Sequence, residues 1–197
     1  MDLIKNKILI TGAPSSGKSS TMSKLAEIYQ HEAVLIPESA IVLLSGGFPT
    51  PEPTDIEQMR IFQQALIEVQ KALEFIFVRQ NYKADLMIFD RSVLDGAAFW
   101  PEGINSYLEN FKIDIHNEYL RFNYVLFFEL PDKAYFGGKN KQRFHDYEQC
   151  LESEKQLKML WENHPNFLVI NATKIFNDKI ESAISLIQKI VINHQLK

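Results

Sequence analysis

The chain carries a single cysteine, Cys150, among 197 residues. That excludes an internal disulfide framework and suits a reducing compartment. It has no excess of basic residues. With a formal net charge of −4, no basic surface advertises nucleic-acid binding, although a local patch would still serve a phosphorylated ligand. No apolar run approaches the ~20 residues needed to span a bilayer, which argues against membrane insertion. The five histidines are scattered, so no zinc-type ligand cluster is visible, and no Gly-x-Ser-x-Gly hydrolase elbow occurs. The first apolar run begins within ten residues of the N-terminus, leaving no room for a secretion signal. A cytoplasmic protein is therefore expected, and the triplet Asn171-Ala172-Thr173 reads as an accidental match to a glycosylation acceptor.

What is present is a chain with 46% hydrophobic residues, enough for one full core and too short for two ordinary domains. A single domain over residues 1–197 follows. Short apolar runs alternate with helical patterns, the mark of strands joined by crossover helices in a parallel sheet. Strands are expected at 7–11, 33–37, 86–90, 124–130 and 167–171. Between the second and third, Ile56, Met59, Phe62, Leu66, Val69, Leu73 and Ile76 recur three or four apart, which predicts a helix packing that face on the sheet. Thr54 and Glu57 have the spacing of a capping box at its start. The stretch "SGGFPTPEP" at 45–53 can continue neither element and reads as a loop. Further helices are expected over 102–122, 146–163 and 177–193.

The densest signal is "ILITGAPSSGKSST". Gly12-Ala13-Pro14-Ser15-Ser16-Gly17-Lys18-Ser19, followed by Ser20, fits G-x-x-x-x-G-K-[ST] without a mismatch. The glycines let the backbone turn its N–H groups inward, where they and a helix N-terminus form a concave site for polyanionic phosphate. Lys18 supplies a charge for the β- and γ-phosphates, and the Ser19 hydroxyl can ligate the accompanying Mg²⁺. ATP with Mg²⁺ is the expected ligand. A chance match should occur on the order of once in a hundred such chains or fewer. Here the motif also follows an apolar strand and opens a helical pattern, as its mechanism requires.

The residues that separate the classes sharing this loop lie elsewhere. A regulatory GTPase needs Asn-Lys-x-Asp and Asp-x-x-Gly, but Asn140-Lys141 is followed by Gln142-Arg143, and Asp90 is followed at the fourth position by Val93. An AAA-type mechanical ATPase usually ends its third strand in Asp-Glu; here "LMIFDRS" puts Arg91 where the Glu would be. Asp90-Arg91-Ser92 resembles the Asp/Glu-Arg-Ser element of nucleoside and thymidylate kinases, in which the acid lies near Mg²⁺ and the acceptor while the Arg meets phosphate. Glu38, in "LIPESA", follows the second strand, where those kinases place a catalytic Glu; capping the helix that starts at Ser39 is the plainer alternative. Both positions are carboxyl ends of strands, the edge where open parallel sheets bind ligands. Lys18, Glu38, Asp90 and Arg91 should thus surround one crevice, with Ser19 and Asp90 next to the metal. Ser92 and Asp95 also have the spacing of a helix-capping pair. Gln63 and Gln70, seven apart, fit either base reading or an ordinary polar helix face. After the fourth strand, "LPDKAYFGGKNKQRFHDYE" supplies Lys139, Lys141 and Arg143 in the position of a kinase lid, with Gly137-Gly138 as its hinge; such cations neutralise a phosphoryl group in transfer.

Together "TGAPSSGKSS", "IPESA", "FQQALIEVQ", "FDRSVLDGAAF" and "FHDYEQCLESEKQL" resemble the AAA-labelled family of small phosphate-loop proteins related to the nicotinamide riboside kinase domain of the bacterial regulator NadR. The resemblance covers nearly the whole chain. It implies a three-layer α/β P-loop NTPase fold with a five-stranded parallel sheet and a kinase-type lid. It also implies Lys18, Ser19, Glu38, Asp90, Arg91 and Arg143 as the functional set. Family lids commonly carry Asp-Gly and paired Arg, whereas this one reads Gly-Gly-Lys-Asn-Lys-Gln-Arg. The expected activity is Mg²⁺-dependent transfer of a phosphoryl group from ATP to a small nucleoside-like acceptor, the alternative being a nucleotide switch with slow hydrolysis. A homodimer is the one assembly left open.

Overall fold

The computed structural model describes residues 6–136 and 146–195. A five-stranded, all-parallel sheet in the order β2-β3-β1-β4-β5 is built from β1 (Asn6–Gly12), β2 (Ala33–Ile36), β3 (Leu86–Asp90), β4 (Tyr124–Phe128) and β5 (Phe167–Ile170). Central β1 is covered on both faces, which is why Ile8, Leu9 and Ile10 read as an unbroken apolar run and are all fully buried. Side chains of one parity join the layer containing α3 (Ile56–Gln80), α4 (Gly103–Phe111), α5 (Ile115–Tyr119) and α6 (Tyr147–Trp161). Those of the other parity, with Ile8 and Ile10, pack on α1 (Lys18–Tyr29) and α7 (Phe176–Gln195). Each such side chain stabilises the fold by about 1.5–3 kcal/mol. The result is the α/β three-layer P-loop NTPase architecture. No helix among the described residues is long and apolar enough to cross a membrane.

Because every strand is parallel, the carboxyl ends of β1, β2 and β3 meet at one edge, and the register pairs Ile10 with Asp90. The strand carrying Asp90 is hydrogen-bonded directly to the strand that feeds the phosphate loop.

Three local expectations need correction. The helix expected over 102–122 is two helices: Lys112 turns left-handed at φ 52°, and Asp114 caps α5 by accepting from the Asn117 N–H at 2.7 Å. The start of α3 is capped by Asp55, not Thr54; the Asp55 carboxylate accepts from the N–H groups of Glu57 and Gln58, where its charge also suits the helix dipole. The buried line of α3 runs through Met59, Gln63, Ile67 and Gln70, while Ile56 and Ile76 are exposed. Gln63 and Gln70 therefore face inward and are not a solvated polar stripe. The helix expected to start at Ser39 is α2 (Ser39–Ser45), which precedes the 45–53 loop.

Candidate phosphate-transfer site

The loop from Gly12 to Lys18 joins β1 to α1 along a path only glycine permits at its start. Gly12 has φ 136°, and a Cβ there would lie 2.3 Å from the Phe128 carbonyl oxygen. Gly17, at φ 100°, precedes α1 without any side-chain cap, and the first turn of α1 has no acidic residue. The helix's orphan N–H groups are thus left to an anion. Lys18 folds back over the loop, donating to the carbonyl oxygens of Gly12 and Ala13, both at 2.8 Å, and to Ser16 Oγ at 3.3 Å. It is 5% exposed, and burial, with the Arg91 charge, pushes its ammonium down to about 7 against the pull of Asp90, Glu38 and Asp95. A polyphosphate held beside it would favour the charged form of this lysine. Ser15, at φ 67°, holds a buried hydroxyl without a partner. Pro14 is half-buried, Ser20 follows on the first turn of α1, and Ser19 is exposed.

Ser19, Glu38 and Asp90 line one cleft of about 260 Å³, walled by Met22, Leu35, Pro37 and Ile41. A larger groove of about 590 Å³ between α4, α5 and α6 contains none of the phosphate-site residues. Asp90 is buried at the end of β3, and its Oδ1 has no hydrogen-bond partner. Burial, reinforced by Glu38 and opposed by Lys18 and Arg91, pushes its carboxyl up to about 7. A buried carboxylate poised near neutrality is a fit candidate for proton transfer or for a cation. Its orphan oxygen sharing a cleft with the Ser19 hydroxyl fits Mg²⁺, which usually takes one or two protein oxygens alongside substrate phosphates.

Glu38 occupies the N-cap position of α2, yet its side chain makes no capping bond. The first N–H of that helix, from Ser39, is instead accepted by Gln70 Oε1 at 3.2 Å. Gln70 therefore leaves the Glu38 carboxylate to face the cleft. Arg91 has φ 68°, a left-handed conformation costing roughly 1–2 kcal/mol for a non-glycine residue. It is held there by its N–H bond to the Ile10 carbonyl at 3.0 Å. Its guanidinium lies 3.0 Å from Glu38 through Nε. The two are an ion pair by distance but not an aligned hydrogen bond, since Nε has no hydrogen-bond acceptor. Nη1 donates to Asp95 at 3.2 Å, and the guanidinium lies over the Phe99 ring. Burial works against the charge, but Glu38, Asp95 and Asp90 outweigh it and hold Arg91 protonated.

Asp95, 1% exposed, anchors this arrangement. One oxygen accepts from Thr11 Oγ1 at 2.6 Å and from Arg91, the other from Trp161 Nε1 at 2.8 Å. Ser92 does cap the following turn, accepting from the Leu94 N–H, but the Asp95 carboxylate serves the Arg91 network and not the turn. Thr11 and Trp161 carry no motif label. Arg143, Lys139, Lys141 and the Gly137-Gly138 pair lie outside the described residues.

A family model described as an AAA domain matches residues 7–177. The chain belongs to the AAA domain family. No curated protein matches it closely. Membership points this AAA domain toward nucleotide binding, in agreement with the loop, and leaves open whether the phosphoryl group goes to water or to an acceptor. The matched span contains the phosphate loop, Glu38 and the whole Asp90-to-Asp95 element.

Proposed function

We propose that this AAA domain is an ATP-dependent, Mg²⁺-requiring kinase of a small hydroxyl-bearing metabolite with nucleoside-like character. The observation that carries the reading is the placement of two carboxylates, Glu38 and Asp90, in one cleft with Ser19 at the mouth of the phosphate loop. Beside them a buried arginine takes the place where an AAA-type ATPase usually has its second acid. In the reaction, the acceptor oxygen bonds to the γ-phosphorus as the bond to the β-bridging oxygen breaks. The acceptor's proton passes to Asp90 or Glu38, and ADP leaves. Phosphoryl transfer of this kind is mostly positioning and electrostatics. The loop N–H groups and Lys18 hold the phosphates, Arg91 compensates the charge of the carboxylates and of the phosphoryl oxygens, and Asp95 with Thr11 fixes Arg91. Ser19 and Asp90 would hold Mg²⁺, which when bound neutralises phosphate charge. Arg143 is proposed as a further phosphate contact from the lid.

The reading is tested with Glu38→Gln and Asp90→Asn proteins and a pool of nucleosides, pyridine ribosides and sugars. Both variants should keep ATP affinity within about tenfold while losing acceptor-dependent turnover by 10²-fold or more, the range set by general acid–base catalysis. Unchanged turnover in both variants would remove the carboxylates from the mechanism. Membership in the AAA family favours one other reading, a nucleotide switch with slow hydrolysis. In that case ATP loss is indifferent to every acceptor.

A further inference from the structure

Lys179 is the second buried lysine of the described residues, 3% exposed, and the phosphate-loop motif does not include it. It lies on α7, four residues before Ala183 and eight before Ile187, on the stripe that packs against the sheet. Its ammonium donates to two main-chain carbonyl oxygens: that of Ser16, within the phosphate loop, at 2.8 Å, and that of Glu129, just past the end of β4. The ammonium also lies 5.6 Å from the centre of the Phe128 ring. Glu129 and Glu154 are the acidic groups that face it; the first accepts from the Ala172 N–H, the second from the Leu130 N–H. An apolar side chain would fill this position without the desolvation cost of a charge, so the ammonium's use lies in what it bonds to.

We infer that Lys179 is a positioning residue for phosphate binding, acting through the Ser16–Gly17 peptide. The carbonyl of that peptide points back to the Lys179 ammonium, and the N–H of the same peptide belongs to Gly17, at the entrance to α1. Among the described residues that N–H has no acceptor. Binding the carbonyl to a cation fixes the plane of the peptide with its N–H toward the phosphate cradle. It also polarises the amide, because hydrogen bonds along a chain strengthen one another and bonds to charged groups are the stronger ones. The second bond, to Glu129, ties the loop to the segment from which residues 131–136 depart. The inference rests on the loop binding a polyphosphate, not on the kinase reading.

The test uses pyrophosphate and ATP as probes, with affinities measured by calorimetry and folding by thermal melting. Wild-type protein must bind both; if it binds neither, the phosphate-loop reading fails and the role of Lys179 falls with it. With wild-type binding established, Lys179→Met should weaken pyrophosphate and ATP by a similar factor, about tenfold or more, at a temperature where it is fully folded. Lys179→Arg should recover part of that loss. In amide spectra the Gly17 N–H resonance should move toward weaker hydrogen-bond polarisation in Lys179→Met. If Lys179→Met does not fold, Lys179→Gln and the wild-type Lys179 ammonium resonance decide: the latter must shift on adding pyrophosphate. A folded variant with wild-type affinity for both probes, or a wild-type ammonium resonance indifferent to pyrophosphate, overturns the inference and leaves Lys179 a brace of the fold.

Discussion

Replacing Lys18 with methionine separates what the lysine does for the fold from what it does for the ligand. Burial holds the folded-state pKa of Lys18 at about 7, below the ordinary lysine value of 10.5. A base whose folded pKa is lowered costs stability wherever the unfolded chain is protonated and the folded one resists it. That cost is complete below about 7 and fades as pH rises to 10.5. Between the two values the unfolded state binds one more proton, so this lysine makes wild-type stability climb by about 1.4 kcal/mol per pH unit. Methionine cannot titrate, and it also removes one donor from each of the Gly12 and Ala13 carbonyls, a penalty independent of pH. The difference in unfolding free energy, wild type minus Lys18→Met, should therefore grow by about 3 kcal/mol from pH ~7.5 to ~10. Asp90 adds in the same direction: without the Lys18 charge that holds its carboxyl down, it stays protonated to higher pH in the variant, whose stability then falls as pH rises through that range. Urea titrations at four pH values give the number. Stability curves that run parallel for the two proteins would show that Lys18 is charged throughout and that the buried-base argument is wrong.

Other consequences are as direct. Asp90→Asn removes a carboxylate whose folded pKa is raised, a cost absent below the unfolded value of 3.8 and complete above about 7; the ligand-free variant should be more stable than wild type by roughly 2–4 kcal/mol at pH 8, the gain vanishing toward pH 4. Gly12→Ala forces a Cβ to within 2.3 Å of the Phe128 carbonyl oxygen at φ 136°, so a loss of about 3 kcal/mol or more in urea unfolding is expected, and wild-type stability would refute the close packing. Asp95→Asn breaks a buried charge pair and should cost about 3–5 kcal/mol, with a change in Trp161 fluorescence because its indole N–H donates to that carboxylate.

The parallel sheet and its edge were legible in the sequence because buried strands read as apolar runs and the phosphate loop is a contiguous motif. Glu38, Asp90 and Arg91 could be placed near Lys18 for a topological reason alone, since parallel strands bring their carboxyl ends together. What the sequence hid depends on tertiary contact. Gln70 caps α2 from thirty-one residues away, and Asp95 draws on Thr11 and Trp161 from β1 and α6, partners that no local spacing reveals. The helix break at Lys112 was marked only by the pair Asp114 and Asn117, a cap competing with a continuous helical pattern. Lys179 did leave a trace: a lysine standing on an otherwise apolar stripe with Ala183 and Ile187 needs a partner inside the fold.

Phosphorus NMR of wild-type protein with ATP, Mg²⁺ and the pooled acceptors distinguishes phosphoryl transfer from hydrolysis in one spectrum. A kinase gives a new phosphate-ester resonance that appears with ADP, grows only when an acceptor is present, and is lost in Asp90→Asn. Release of inorganic phosphate alone, at a rate no acceptor changes, would contradict the kinase reading.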